Sequence, residues 1–135
     1  MLLRKKEIES RQVNLIKATL YCLLRRQIRD VKGSYLQDAS GTINARAAGY
    51  LYGFVQAALR QFSIPLESAE GQDILISTLG AFGGRGEALL SRLQQCGPGN
   101  PEYVQDFKAG WAEYDAWINL GGTKSPSGLR ACFTR

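Results

Sequence analysis

The sequence predicts an all-α protein, a single-domain bundle of about five helices around one central helix. Residues 43–62, INARAAGYLYGFVQAALRQF, are apolar nearly all round a helical wheel, which is typical of a buried helix. Elsewhere, apolar residues recur at spacings of three and four, the period of an amphipathic helix. Glycine or proline separates these periodic segments, and both residues commonly end helices. We therefore expect helices joined by turns, with no internal repeat and no linker between domains.

The central helix carries a strip of very small residues. Its members recur at every fourth position: Ala45, Gly49, Gly53 and Ala57. Residues four apart share one face of a helix, so a second helix can approach this small-residue strip closely. We predict that the strip is a helix-packing site within the core. We expect Ser40 or Thr42 to cap the start of the helix, and Pro65 to follow its end.

The first helix is predicted over residues 3–31, where apolar residues follow helical spacing up to a terminating Gly33. Three of its basic residues lie near the C-terminal end: Arg25, Arg26 and Arg29. They are candidate contacts for a phosphate or a carboxylate, including the phosphates of a nucleic acid. The alternative is that these cations are solvated, or paired with Asp30.

Two shorter helices are predicted in the middle of the chain. The third begins near Ser68 and stops at Gly83, and the fourth spans residues 86–96. Between them, residues 80–87, GAFGGRGE, form a glycine-rich turn that precedes a helix. The turn lacks the Lys-Ser/Thr pair of a phosphate-binding loop and the spacing of a dinucleotide site. The alternatives are an anion site that includes Arg85 and a simple turn between helices.

The last long helix has the clearest start signal in the chain. Residues 100–102, Asn-Pro-Glu, combine an N-cap, a first-turn proline and an acid at the positive end of the helix dipole. We expect this helix to run to about Leu120 and to complete a helical domain over residues 1–122. Trp117 lies off its apolar stripe and is a candidate partner contact. The tail, residues 123–135, is predicted to be irregular, with Phe133 as a second candidate contact.

The charge is unevenly distributed along the 135 residues. Residues 1–65 carry 11 lysines and arginines against 4 acidic residues, whereas residues 66–135 carry 6 against 8. A basic half of this kind fits a surface for nucleic acid, anionic lipid or an acidic protein. A solvated basic helix face explains it equally, and the two halves could also attract each other in an oligomer.

The composition favours a protein without catalytic chemistry. Histidine is absent, so the commonest general base and metal ligand are missing, and no nucleophile motif is present. Asp106 and Glu113 share a helix face, but both are predicted to lie at the surface. The three cysteines are scattered and odd in number, which favours a reducing compartment, with Cys22 a small buried thiol. We expect no metal, no cofactor and no small-molecule substrate.

Two functional hypotheses follow from the sequence. The first is a non-enzymatic protein-interaction module of the adaptor, chaperone or small-regulator type. We expect it to be cytoplasmic, because no apolar run is long enough for a membrane span, and to self-associate, most simply as a dimer. The second is a basic helical protein that contacts nucleic-acid phosphates through its first helix. Binding through phosphates alone needs no base-reading helix, and the central helix is too apolar to lie in a groove of DNA.

Overall fold

A computed structural model describes residues 2–28, 44–82, 101–122, 126 and 128–133. The residues in these ranges form five helices and no strand, which confirms the all-α prediction. The helices are α1 (Leu2–Gln27), α2 (Ala45–Gln61), α3 (Ala69–Ala81), α4 (Pro101–Asn119) and α5 (Gly128–Phe133). The helix predicted over residues 86–96 lies outside the described residues.

The central helix α2 begins slightly later than the sequence predicts. Asn44 is its N-cap, and the Asn44 side chain accepts a hydrogen bond from the Ala47 amide at 3.1 Å. The expected caps at Ser40 and Thr42 lie outside the described residues. Eleven of the seventeen residues of α2 are buried, as expected for a helix that is apolar on almost every side.

Helices α2 and α4 form the closest pair in the fold, and they run in the same direction. The contacts advance together along both helices: Arg46 with Asp106, Tyr50 with Gly110, and Phe54 with Tyr114. The Tyr114 ring meets Phe54 edge-on at a centroid distance of 5.2 Å, and its hydroxyl donates to Gln61. Aromatic side chains therefore fill the space beside a junction that is itself made of backbone.

Two glycines permit this close approach. A Cβ atom on Gly53 would overlap the carbonyl oxygen of Phe107 and lie 2.9 Å from its carbonyl carbon. Reciprocally, a Cβ on Gly110 would overlap the carbonyl oxygen of Tyr50 and lie 3.1 Å from the Phe54 nitrogen. Because backbone atoms cannot rotate away as a side chain can, each position tolerates glycine alone at this helix separation.

Helix α1 packs on the central helix in a different way from α4. Its backbone lies closer to α3 and α5 than to α2, so it packs on the central helix mainly through side chains. Ile16, Leu20 and Leu24 are buried on its inner side. Cys22 is exposed, and the prediction of a buried thiol is wrong because its side chain lies opposite those leucines on the helix.

Helix α3 begins where the sequence predicts, and α4 begins with the predicted proline. Ser68 caps α3 by accepting a hydrogen bond from the Gly71 amide at 3.0 Å. Pro101 is the first residue of α4, whereas Asn100 lies outside the described residues. The end of α4 is closed by the Gly122 amide, which donates to the carbonyl of Trp117 at 2.8 Å, with Gly121 and Gly122 at positive φ. This is the Schellman arrangement that Gly-Gly at a helix end favours.

The tail is not irregular throughout, in contrast to the prediction for residues 123–135. Residues 128–133 form α5, and Leu129 and Cys132 are buried in the core. The helix is only six residues long, too short for helical periodicity to be recognised in the sequence, and its stability comes from tertiary contacts. Those contacts are made by polar side chains from three other helices.

Candidate functional site

The socket that holds α5 consists of four polar side chains that satisfy both ends of this short helix: Gln27, Asn44, Arg46 and Glu113. At the N-terminal end, the Gly128 amide donates to Glu113 Oε1 and the Leu129 amide to Gln27 Oε1, each at 2.9 Å. At the other end, Asn44 Nδ2 donates to the Cys132 carbonyl at 3.0 Å, and Arg46 to the Ala131 carbonyl at 3.4 Å. Two of the free amides and two of the free carbonyls of the helix are thus paired by side chains.

Tyr50 lies at the centre of this socket. Its hydroxyl donates to Glu113 Oε1 at 2.8 Å and lies 3.3 Å from Gln27 Oε1. Burial, followed by the charge of Glu113, raises the pKa of the Tyr50 phenol. The other polar atom of the Gln27 amide, Nε2, is buried without a hydrogen-bond partner among the described residues. The tyrosine is therefore a structural donor held in its neutral form.

Asp106 and Cys132 lie beside the socket. Arg46 Nε donates to Asp106 Oδ2 at 3.0 Å, and the Cys132 thiol lies 3.8 Å from Asp106 Oδ1. Burial, followed by the Asp106 carboxylate, raises the pKa of the Cys132 thiol to about 12. A nucleophilic cysteine needs a lowered pKa, so the environment of Cys132 opposes reactivity.

An apolar groove of about 210 Å³ opens on another side of the molecule, between α1, α2 and α4. Its walls include Leu15, Leu20, Phe62, Trp117 and Ile118, and the described residues that line it carry no formal charge. Leu15 and Phe62 at its edge are exposed over 67% and 38% of their surfaces. Large apolar side chains that remain exposed beside a concave apolar surface are typical of a binding site.

The structure describes two of the four sequence-predicted anion contacts. Arg25 and Arg26 are exposed on α1, whereas Arg29 and Arg85 lie outside the described residues. Trp117 is partly buried and packs against the core, and its remaining surface lines the groove. Phe133 is the last residue of α5, and the placement of its side chain lies outside the described structure.

The small-residue strip lies on the buried part of α2. Gly49, Gly53 and Ala57 are buried, Ala45 is partly buried, and Gly53 lies against the α4 backbone.

Sequence reasoning missed the polar residues of the socket. Asp106 is buried and Glu113 is partly buried, although the sequence predicts both at the surface. Their partners, Arg46 and Tyr50, are sixty or more positions away along the chain, so no local pattern signals the pairing. These pairs form only because α2 and α4 lie side by side in the fold.

Comparison with known proteins gives no relative for this arrangement. No protein-family model, curated protein or solved structure matches the chain significantly. Among the described residues, no group of potential ligands is placed to hold a metal ion. No described helix is long and apolar enough to cross a membrane. The function must therefore be inferred from the geometry alone.

Proposed function

We propose that this protein is a non-enzymatic interaction module that self-associates through the groove between α1, α2 and α4. The observation that carries the proposal is the exposure of Leu15 and Phe62 at the edge of this uncharged, apolar groove. Burying such side chains is favourable in proportion to the apolar area removed from water. Trp117, which lines the groove, belongs to the residue type most enriched at binding hot spots.

A second copy of the same chain is the occupant that this surface fits best. The exposed Leu15 and the groove lie on the same side of the molecule, so a two-fold axis can bring each Leu15 to the groove of the other copy. The lining residues carry no formal charge. The groove itself therefore adds no like-charge repulsion when two copies of a protein with net charge +5 meet there.

The expected dimer is weak. Stable interfaces commonly bury about 1,200–2,000 Å² in total, which is more than a groove of this size contributes by itself. We therefore expect association at micromolar or higher concentration, with rapid exchange of subunits.

Sedimentation equilibrium across a range of protein concentrations tests this proposal. Leu15→Glu should abolish the concentration-dependent increase in mass, because it places a charge against the apolar groove. Tyr21→Glu is the matched control, since Tyr21 is an exposed apolar residue of the same helix that does not line the groove. A monomer at every concentration, or equal effects of the two substitutions, would contradict the proposal.

A second candidate function is nucleic-acid binding through phosphate contacts on α1. It is supported by the exposure of Arg25 and Arg26 and by the absence of aspartate and glutamate from residues 10–28. Affinity for duplex DNA should then fall steeply with salt, and neutralising the two arginines should reduce both the affinity and its salt dependence. Failure to bind duplex at low salt would exclude this candidate.

The polar residues of the interior support the non-enzymatic part of the proposal. Glu113, Gln27 and Tyr50 are engaged in holding α5, and the thiol of Cys132 is kept protonated. Sparse cysteines in odd number favour a reducing environment, and we propose the cytoplasm as the location on that ground.

A further inference from the structure

The outward side of α1 combines exposed apolar residues with arginines, whereas the described residues of its inner side and of the groove are uncharged. Its members are exposed and recur at spacings of three and four: Arg11, Asn14, Leu15, Ala18, Tyr21, Cys22, Arg25 and Arg26. We call these eight residues the outer face. Mostly apolar residues and Asn14 occupy its middle, and arginines lie at both ends. At 1.5 Å per residue, the arginines are separated by roughly 20 Å along the helix axis.

The charge of the outer face has one sign. Residues 10–28 contain no aspartate or glutamate, and the acids of α1, Glu7 and Glu9, precede Arg11. The arginines at the C-terminal end of α1 therefore have no acid of their own helix nearby. Lys17, on the flank, is paired with Asp73 of α3 at 2.6 Å. Arg25 and Arg26 therefore present positive charge one turn beyond exposed Tyr21, and Arg11 lies one turn before exposed Leu15.

From this arrangement we infer that the outer face binds a negatively charged lipid surface, with α1 lying flat along it. In this orientation Leu15 and Tyr21 enter the boundary between headgroups and acyl chains. The arginines extend their guanidinium groups to lipid phosphates on either side. This is peripheral contact by the surface of one helix, and the inner side of α1 stays packed in the fold.

The apolar middle of the outer face distinguishes lipid from nucleic acid. A phosphate-tracking surface needs cations along its length, whereas here Leu15, Ala18 and Cys22 would face the phosphates between two basic ends. An α-helix is also convex, so it can lie against a flat bilayer without a matching groove. The inference names a different partner from the nucleic-acid candidate. Leu15 belongs both to the outer face and to the edge of the groove, so lipid binding and self-association compete for this side chain.

Co-sedimentation of the full chain with vesicles tests the inference. One set of vesicles is phosphatidylcholine alone, and the other is phosphatidylcholine with phosphatidylserine in equal parts. We expect binding to the second set only, reduced by added salt. Each arginine should contribute about fivefold to the partition coefficient, so Arg25→Gln with Arg26→Gln should lower it by roughly 25-fold.

Three controls make the result decisive. Lys108→Gln removes one positive charge from an exposed position on α4, and it should change the partition coefficient much less than Arg25→Gln. Tyr21→Ser should weaken binding while it retains every charge, which a purely electrostatic contact would not show. The double arginine variant should still self-associate as the unsubstituted protein does, so failure of lipid binding is distinguishable from failure of the groove proposal.

Three outcomes would overturn the inference. They are no binding to vesicles that contain phosphatidylserine, equal effects of Lys108→Gln and Arg25→Gln, and preferential binding of duplex DNA that competes the protein off the vesicles. The last outcome would support the nucleic-acid candidate instead.

Discussion

The α2–α4 junction and helix α1 represent two different ways in which this protein packs its helices. At the junction, backbone lies against backbone, and Gly53 and Gly110 leave no space for a side chain. Helix α1 instead contacts its neighbours through long side chains, and it keeps Leu15 and Tyr21 exposed. The comparison indicates that the junction determines the fold, whereas α1 has surface available for partners. Substitutions at the two regions should therefore affect different properties.

The largest effect is expected from overfilling the junction. Gly53→Leu or Gly110→Leu would force α2 and α4 apart, because the new side chain meets backbone atoms that cannot move independently. We expect a loss of at least about 3 kcal/mol in the free energy of unfolding, the upper range for overpacking. Urea denaturation followed by circular dichroism measures it. A stability within error of the unsubstituted protein would mean that the helices do not meet at these glycines.

A smaller loss is expected from the α5 socket. Glu113→Ala leaves the Gly128 amide without its acceptor and the Tyr50 hydroxyl with only its longer contact to Gln27. An unpaired buried group costs about 1–3 kcal/mol. Glu113→Gln is the control, because its amide oxygen can still accept a hydrogen bond and should preserve more of the stability. Alkylation of Cys132, detected by mass spectrometry, should become faster in Glu113→Ala if α5 detaches. If Cys132 is alkylated at the same rate in Glu113→Ala and in the unsubstituted protein, Glu113 does not hold α5 in place.

Alkaline pH should also destabilise the fold. Burial raises the pKa of Tyr114 to about 12, and burial and Asp106 raise that of Cys132 to about 12. The pKa of Tyr50 is raised as well. These groups lose protons more readily in the unfolded chain, from their ordinary values of 9.0 and 10.0 upward. The free energy of unfolding should therefore fall as pH rises through that range.

Tyr50→Phe should reduce this alkaline loss, since it removes one of the buried phenols. Thermal denaturation of both proteins between neutral and alkaline pH provides the comparison. If the stabilities of the two proteins depend on pH in the same way, the Tyr50 phenol does not contribute to the alkaline loss of stability.

The smallest change in stability is expected at the outer face. Leu15→Ala should alter the free energy of unfolding by less than about 0.5 kcal/mol, as is usual for exposed positions. The adjacent Ile16→Ala should cost about 2–5 kcal/mol, because Ile16 is buried. Chemical denaturation of the pair tests whether α1 has one buried side and one available side. Similar losses at the two positions would contradict that distinction.

Local sequence signals predict the helices well and their mutual contacts poorly. The four-residue spacing of small side chains identifies α2 as a helix with a smooth face, and Gly110 marks a second close approach on α4. The sequence does not indicate that Gly53 and Gly110 serve the same junction, because that depends on the relative direction of two helices far apart in the chain. The short α5 has no periodicity to detect, and its stabilising partners come from three other elements.

The candidate surfaces illustrate the same limit. Trp117 is a candidate partner contact in the sequence because it lies off the apolar stripe of its helix. In the structure it lines the groove. Phe62 ends the apolar central segment of the sequence, whereas the structure leaves both Phe62 and Leu15 exposed at the edge of the groove. Cys22 is exposed because it lies opposite the buried Leu20 and Leu24 on α1.

The most direct test of the central claim compares two glycine-to-alanine substitutions by urea denaturation. Gly53 lies against the Phe107 carbonyl, whereas Gly80 of α3 is exposed and a Cβ there meets no described atom within 4 Å. Gly80→Ala should stabilise the protein by about 0.5–1 kcal/mol, because alanine is the better helix former. Gly53→Ala should destabilise it by more than that amount. If Gly53→Ala is also stabilising, the two helices do not pack backbone against backbone, and the account of the fold is wrong.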